Sequence, residues 1–253
     1  MKIRPRLNVA ARILHDELTA HPVTLGRLVY FARTKLSDGL RTAYYRDFIR
    51  PQILNTPAIS QTDDRSCEIH VLTSSGDWLN LLWALKTFYL FSGRRFALCI
   101  HDDGSLNETE RGHLRTAFPN SRLILRSEAD QRVNPLLTDY PLSRTFRAGN
   151  KLAPKVFDFA TFLEAERMFL LDSDILFFAP PSALLAAIDD PAMHRNTLNK
   201  DWRPGYTLSP ESLQSLVDFE FPALINSGLG LIHRDSIRFD WIEEFLALPG
   251  LKV

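Results

Sequence analysis

Met168-Phe169-Leu170-Leu171-Asp172-Ser173-Asp174-Ile175-Leu176-Phe177-Phe178 sets four apolar residues directly before two carboxylates, and a second apolar run follows them. A short continuous apolar run between breakers reads as a strand buried on both faces, and Pro180-Pro181 closes it. With the backbone extended, Asp172 and Asp174 project from one face, about 6–7 Å apart. Carboxylates that close repel, and an apolar setting makes ionising both costly. A hard divalent cation, Mg2+ or Mn2+, relieves that cost, because it takes one or two carboxylates together with substrate phosphates. For an isolated Asp-x-Asp the plainer reading is a strand end facing water; the apolar flanks favour a site.

Working outward, the segment just upstream carries Leu152, Val156, Phe159, Ala160 and Leu163 on one helical face, so this helix packs on a sheet. Lys151 and Lys155 stand at its start, with Arg144 and Arg147 before it. Four basic residues ahead of a carboxylate pair suit a ligand carrying phosphate charge, although solvated surface positions are the usual fate of Lys and Arg. Downstream, Leu224-Ile225-Asn226-Ser227-Gly228-Leu229-Gly230-Leu231-Ile232-His233 interrupts an apolar strand with Asn-Ser-Gly. Glycine inside a strand marks a bulge or a close backbone approach, and a polar Asn there needs hydrogen-bond partners. His233 directly follows the strand and reads as structural. The stretch 189–210, with His194, Asp201, Trp202 and Tyr206, reads as an irregular binding loop or lid. An amphipathic helix over 236–248 closes the chain.

Upstream, Glu68 to Thr73 and Phe96 to Ile100 read as strands, with a helix between them that ends at Gly93. Residues 107–117 read as a helix, 123–125 as a third strand and 128–150 as a loop. Strand and helix in alternation indicate a doubly wound, mainly parallel sheet, whose ligands sit at the carboxyl ends of the strands. Thr73-Ser74-Ser75 and Asp102-Asp103 occupy such ends.

The 253 residues are 45% hydrophobic and 24% charged, which suits one α/β domain with an extension and excludes wholesale disorder. Zero formal net charge argues against a nucleic-acid partner. Cys67 and Cys99 lie in or beside apolar strands and read as buried core thiols in a reducing compartment. No stretch reaches transmembrane length and no signal-peptide core opens the chain, which gives a cytoplasmic assignment. Residues 1–65 form a separate basic helical extension and linker. Met1 to Arg50 carries ten basic residues against four acidic ones, with Tyr30, Phe31, Tyr44, Tyr45 and Phe48 among them. Such an arm packs on its own domain with a solvated outer face, or lies peripherally on an anionic inner membrane face.

The basic-started helix, the Arg167–Asp174 strand and the Ile225–Ile232 strand together resemble the GT-A glycosyltransferases, and in particular the glycogenin-like and bacterial galactosyltransferase-like retaining family. The resemblance runs from about residue 66 to the C-terminus. It implies an α/β fold, a mainly parallel sheet flanked by helices that binds a nucleoside diphosphate sugar, a UDP-sugar first among them. Asp172 and Asp174 match the metal pair that holds Mn2+ or Mg2+ against the donor diphosphate. Lys155 matches a basic position contacting the donor. Asn226, Ser227 and Gly228 match the strand beside the donor sugar, where Asn226 orients the reacting face. Thr73 and Ser74 would lie beside the nucleotide, with Asp102 and Lys151 as further substrate contacts. The implied reaction is sugar transfer to an acceptor that is a glycan, a lipid or a protein. The family's C-terminal His-containing metal motif has no counterpart before Leu251-Lys252-Val253, so the domain reads as C-terminally shortened. Two other readings stand: a non-catalytic nucleotide-sugar-binding or partner-binding module, and a haloacid-dehalogenase-type phosphatase.

Overall fold

The computed structural model describes residues 37, 39–202, 208–220, 222 and 224–250. The chain divides into two compact units, Met1–Pro57 and Ala58–Val253. In the first, helix α1 (Leu40–Tyr44) continues through a π-helical turn (Tyr45–Ile49) into a 3-10 turn (Arg50–Asn55). Leu40, Tyr44, Tyr45 and Phe48 are exposed there. Most of the basic arm lies outside the described residues. The second unit begins before the linker expected to end at Arg65, because the Ile59 N–H already donates to the Ala117 carbonyl and the Gln61 N–H to Asn120.

That unit is built on six strands: β1 (Asp64–Thr73), β2 (Phe96–Asp102), β3 (Arg122–Ile124), β4 (Arg167–Leu171), β5 (Thr197–Lys200) and β6 (Ile225–His233). Their order is β3-β2-β1-β4-β6-β5. The first four run parallel, and β6 and β5 add an antiparallel pair. This is the mainly parallel, helix-flanked sheet that the alternating pattern implied. Strand β4 is central, with β1 on one side and β6 on the other, so its run Met168–Leu171 is buried throughout.

Period-two alternation sends successive residues to opposite faces. On one face lies helix α2 (Trp78–Ser92), whose Phe88 ring sits 5.0 Å from Phe169 and 5.2 Å from Phe177. It stops at Gly93, whose φ of 66° is the left-handed value that a C-terminal glycine supplies without strain. Helix α3 (Glu108–Ala117) starts with a capping box between Asn107 and Glu110.

The stretch expected as a loop over 128–150 is instead two helices, α4 (Arg126–Leu136) and α5 (Pro141–Gly149). Ala129, Val133 and Leu137 carry one side of α4 and its end into the core, and Phe146 packs α5 against the same cluster; α5 is fixed by distant polar partners as well. Arg147 of α5 is buried and donates to Asp158, Asp130 and Asn134. The Leu142 and Ser143 N–H groups at the start of α5 donate to Glu243 of the last helix. Arg147 is therefore a structural ion-pair residue, which corrects its reading as a contact for phosphate charge. Helix α6 (Pro154–Phe162) covers the second face of the sheet, where Phe159 packs with Met168 and Leu170. Lys151 sits in the turn before α6 rather than on it. Helices α7 (Ser182–Asp189), α8 (Pro210–Gln214) and α9 (Phe239–Leu246) complete the described elements. Cys67 and Cys99 are buried free thiols, as their apolar settings suggested. Among the described residues no helix is long and apolar enough to cross a membrane.

Candidate active site at the carboxyl end of the central strands

Strand β4 ends at Leu171, one residue before the carboxylate pair. Asp172 to Asp174 form a turn, and the second apolar run does not continue the strand: Phe177 is buried under α2 while Leu176 and Phe178 are exposed. The extended geometry expected for the pair is thus replaced by a turn at the sheet rim. The cause is local, because β6 pairs with β4 only as far as Leu171–Leu229 and the Asp172 N–H then donates to the Gly228 carbonyl at 2.7 Å.

The turn brings several of the singled-out residues together. Lys155, on the first turn of α6, forms an ion pair through Nζ with Asp172 Oδ1. Asp172 Oδ2 has no hydrogen-bond partner among the described residues and points at Gly228. A Cβ on Gly228 would lie 2.7 Å from that oxygen and 2.8 Å from Asn226 Oδ1. No real Cβ tolerates such distances, so glycine is what lets the carboxylate and the amide converge. Gly230 plays a matching part against β5, where a Cβ would meet the Thr197 carbonyl at 2.6 Å.

Asn226 meets its hydrogen-bond demand within the site. Its Oδ1 accepts the Gly228 N–H at 2.7 Å, and its Nδ2 donates to Asp201 Oδ2 at 3.3 Å. Asp201 was not singled out as a site residue from sequence. What places it there is the β5–β6 pairing, which sets Lys200 opposite Ile225 and Asn199 opposite Asn226. Asp174 is exposed and carries no hydrogen bond or ion pair among the described residues.

The other positions separate into two groups. Thr73 ends β1, the strand beside β4, and is buried with no hydrogen-bond partner for Oγ1. Ser74 follows it and donates to Asp77 at 2.9 Å. Asp102 is committed to its own loop: Oδ1 accepts from the Gly104 and Leu106 N–H groups, and Oδ2 from Arg111 at 3.0 Å. Ser227 is exposed on the face of β6 opposite to Asn226 and Gly228, and Lys151 is exposed and without a partner among the described residues. His233 is held by the Met193 carbonyl at 2.8 Å, a structural placement.

Carboxylates are the ligand type that a hard cation such as Mn2+ or Mg2+ takes. Asp172 Oδ2 and the Asp174 carboxylate are both unclaimed among the described residues, while Lys155 holds the other oxygen of Asp172. No protein-family model and no curated protein sequence matches the chain. Solved structures align with the chain at low identity. Mouse xyloside xylosyltransferase 1 in its apo form aligns at 13% identity and a TM-score of 0.47, covering 74% of this chain and 71% of that one. The galactosyltransferase LgtC in complex with donor and acceptor sugar analogues aligns at 16% identity and a TM-score of 0.43, covering 70% and 64% of the two chains. A mannosyltransferase from Pyrobaculum calidifontis in complex with GDP-Man and Mn2+ gives 14% identity and a TM-score of 0.36, covering 82% and 55%.

Proposed function

We propose that this chain transfers a sugar from a nucleoside diphosphate sugar, a UDP-sugar in the first instance, to a glycan, lipid or protein acceptor. The observation that carries the reading is the pairing of an unclaimed, exposed Asp174 with Asp172 at the carboxyl end of a buried central strand, beside a glycine that leaves room for Asp172 Oδ2.

Asp172 and Asp174 would hold Mn2+ or Mg2+, and the ion would offset negative charge on the departing diphosphate. Lys155 orients Asp172 through their ion pair and adds a positive charge to the same corner. Asn226 fixes the Gly228 backbone through its Oδ1, so the β6 edge presented to the donor sugar is rigid. Thr73, Ser74, Ser227 and Lys151 would contact donor or acceptor, as the family resemblance implies; Asp102 is spent on its own loop after β2 and makes no donor contact. The exposed aromatic stretch 44–48 beside Arg41, Arg46 and Arg50 is compatible with peripheral contact to an anionic membrane surface. Turnover of a panel of UDP-sugars by the purified chain with Mn2+ tests the reading. Release of UDP that disappears on chelation and in Asp174→Ala supports it. Binding without turnover favours a nucleotide-sugar-binding module, and hydrolysis of phosphomonoesters favours a phosphatase.

A further inference from the structure

A second polar cluster lies on the same face of the sheet, sealed beneath α6. His70 of β1, and Cys99 and His101 of β2, are at most 1% exposed, and one ligand atom from each lies within 4.8 Å of the others. His70 Nδ1 is 3.1 Å from His101 Nε2, and Cys99 Sγ is 3.3 Å from that same nitrogen. The Phe159 ring stands 4.6 Å from His101 and 5.3 Å from His70, so the wall opposite the cluster is aromatic.

Glu68 stands beside this cluster. Its Oε2 lies 3.3 Å from His70 Nε2, and the carboxylate is anchored by Arg122 and by the Glu164 N–H. His70 Nε2 and His101 Nδ1 are both buried with no hydrogen-bond partner. With His70 Nδ1 and Cys99 Sγ crowded on the one nitrogen His101 Nε2, the cluster leaves two buried ring nitrogens unsatisfied.

We infer that His70 Nδ1, His101 Nε2 and Cys99 Sγ form a buried site for a borderline-to-soft transition-metal ion of the zinc class. Two imidazoles and a thiolate are the ligand types such ions select. Tetrahedral bond lengths to zinc imply spacings of about 3.3 Å between nitrogens and about 3.6 Å between nitrogen and sulfur. The observed 3.1 and 3.3 Å need only a few tenths of an ångström of opening. Glu68 supplies the carboxylate behind a ligating histidine that orients such sites. Binding displaces the thiol proton of Cys99, and the thiolate together with Glu68 offsets the divalent charge. On its outer side Glu68 lines a cavity of about 180 Å3 with Thr62, Arg122 and Glu164. This site is separate from the Asp172–Asp174 rim and does not depend on the proposed transfer reaction.

The test is to refold the full chain with Zn2+ or Co2+, dialyse against EDTA and count bound metal by mass spectrometry. Expected are about one ion per chain and, with Co2+, a near-ultraviolet thiolate-to-cobalt charge-transfer band. Both should persist in Asp172→Asn and be lost in Cys99→Ser and His101→Gln. Wild-type chain that refolds by circular dichroism yet retains less than about a tenth of an equivalent, or shows no thiolate band, overturns the site. Equal retention in folded Cys99→Ser or His101→Gln overturns it as well. Should those variants fail to fold, the wild-type cobalt spectrum alone decides.

Discussion

Two strand ends at the same rim of the sheet carry paired aspartates, and the molecule uses them differently. Asp102-Asp103, at the end of β2, are consumed by the loop that follows: Asp102 takes two backbone N–H groups and Arg111, while Asp103 takes the N–H and hydroxyl of Ser105. Asp172 and Asp174, at the end of β4, receive one lysine between them, and Asp174 receives nothing among the described residues. The difference lies in the loop geometry. After β2 the chain turns back tightly at Gly104, whose φ of 99° points amides at the carboxylate. After β4 the chain leaves through Ile175 toward the α2 face and offers the acids no donors. A carboxylate saturated with N–H donors is architecture, and one left unsaturated beside another is available for a ligand.

The largest expected effect falls on the unsaturated pair. Asp174→Ala should lower metal-dependent UDP-sugar turnover by about 10²–10³-fold with an unchanged unfolding midpoint, since no described internal partner is lost. A drop in stability instead of turnover would erase the contrast. Next, Asp102→Ala should cost about 2 kcal/mol in urea unfolding, because two backbone amides and one end of the half-buried Arg111 lose their acceptor together. Affinity of the folded variant for UDP-sugar should hold; a selective loss of affinity would return Asp102 to the binding site. Gly228→Ala should cost about 1–3 kcal/mol by overpacking, and should weaken Mn2+ binding because the new methyl displaces Asp172 Oδ2.

The smallest effect tests the saturation rule at a distance. Burial acts to raise the Glu243 pKa, but the Ser143 hydroxyl and the Leu142 and Ser143 N–H groups outweigh it and hold the group below its usual value. A folded-state pKa that is depressed gives stability present above the unfolded carboxylate pKa and lost as pH falls through the folded one. Glu243→Gln should therefore be about 1 kcal/mol less stable at pH 7, with the gap closing as the wild type is acidified below about pH 4. Urea midpoints measured across that range would check both sign and window.

Some of this was legible in the residues. Met168–Leu171 read as a buried strand, because a short continuous apolar run between breakers suits one, and the structure has it there. The Gly93 stop, the Asn107 start and the parallel alternation follow from short-range chemistry, and the structure has them. Helices α4 and α5 were not legible. The polar partners that fix α5, Asp158 for Arg147 and Glu243 for the Leu142 and Ser143 amides, lie 11 and about 100 residues away, and α4 reaches the core through only Ala129, Val133 and Leu137. No local period records such partners.

The same boundary runs through the candidate site. Sequence alone determined that Asp172, Asp174 and the Asn-Ser-Gly strand are out of place in an ordinary core, since apolar neighbours on both sides make each polar group costly. Only the tertiary structure decided which carboxylates are free. That depends on where Arg111, Lys155 and the loop amides fall, and on the register that brings Asp201 to Asn226 and joins His70, Cys99 and His101 beneath α6. Donor and acceptor counts are settled in three dimensions, by groups far apart in the chain.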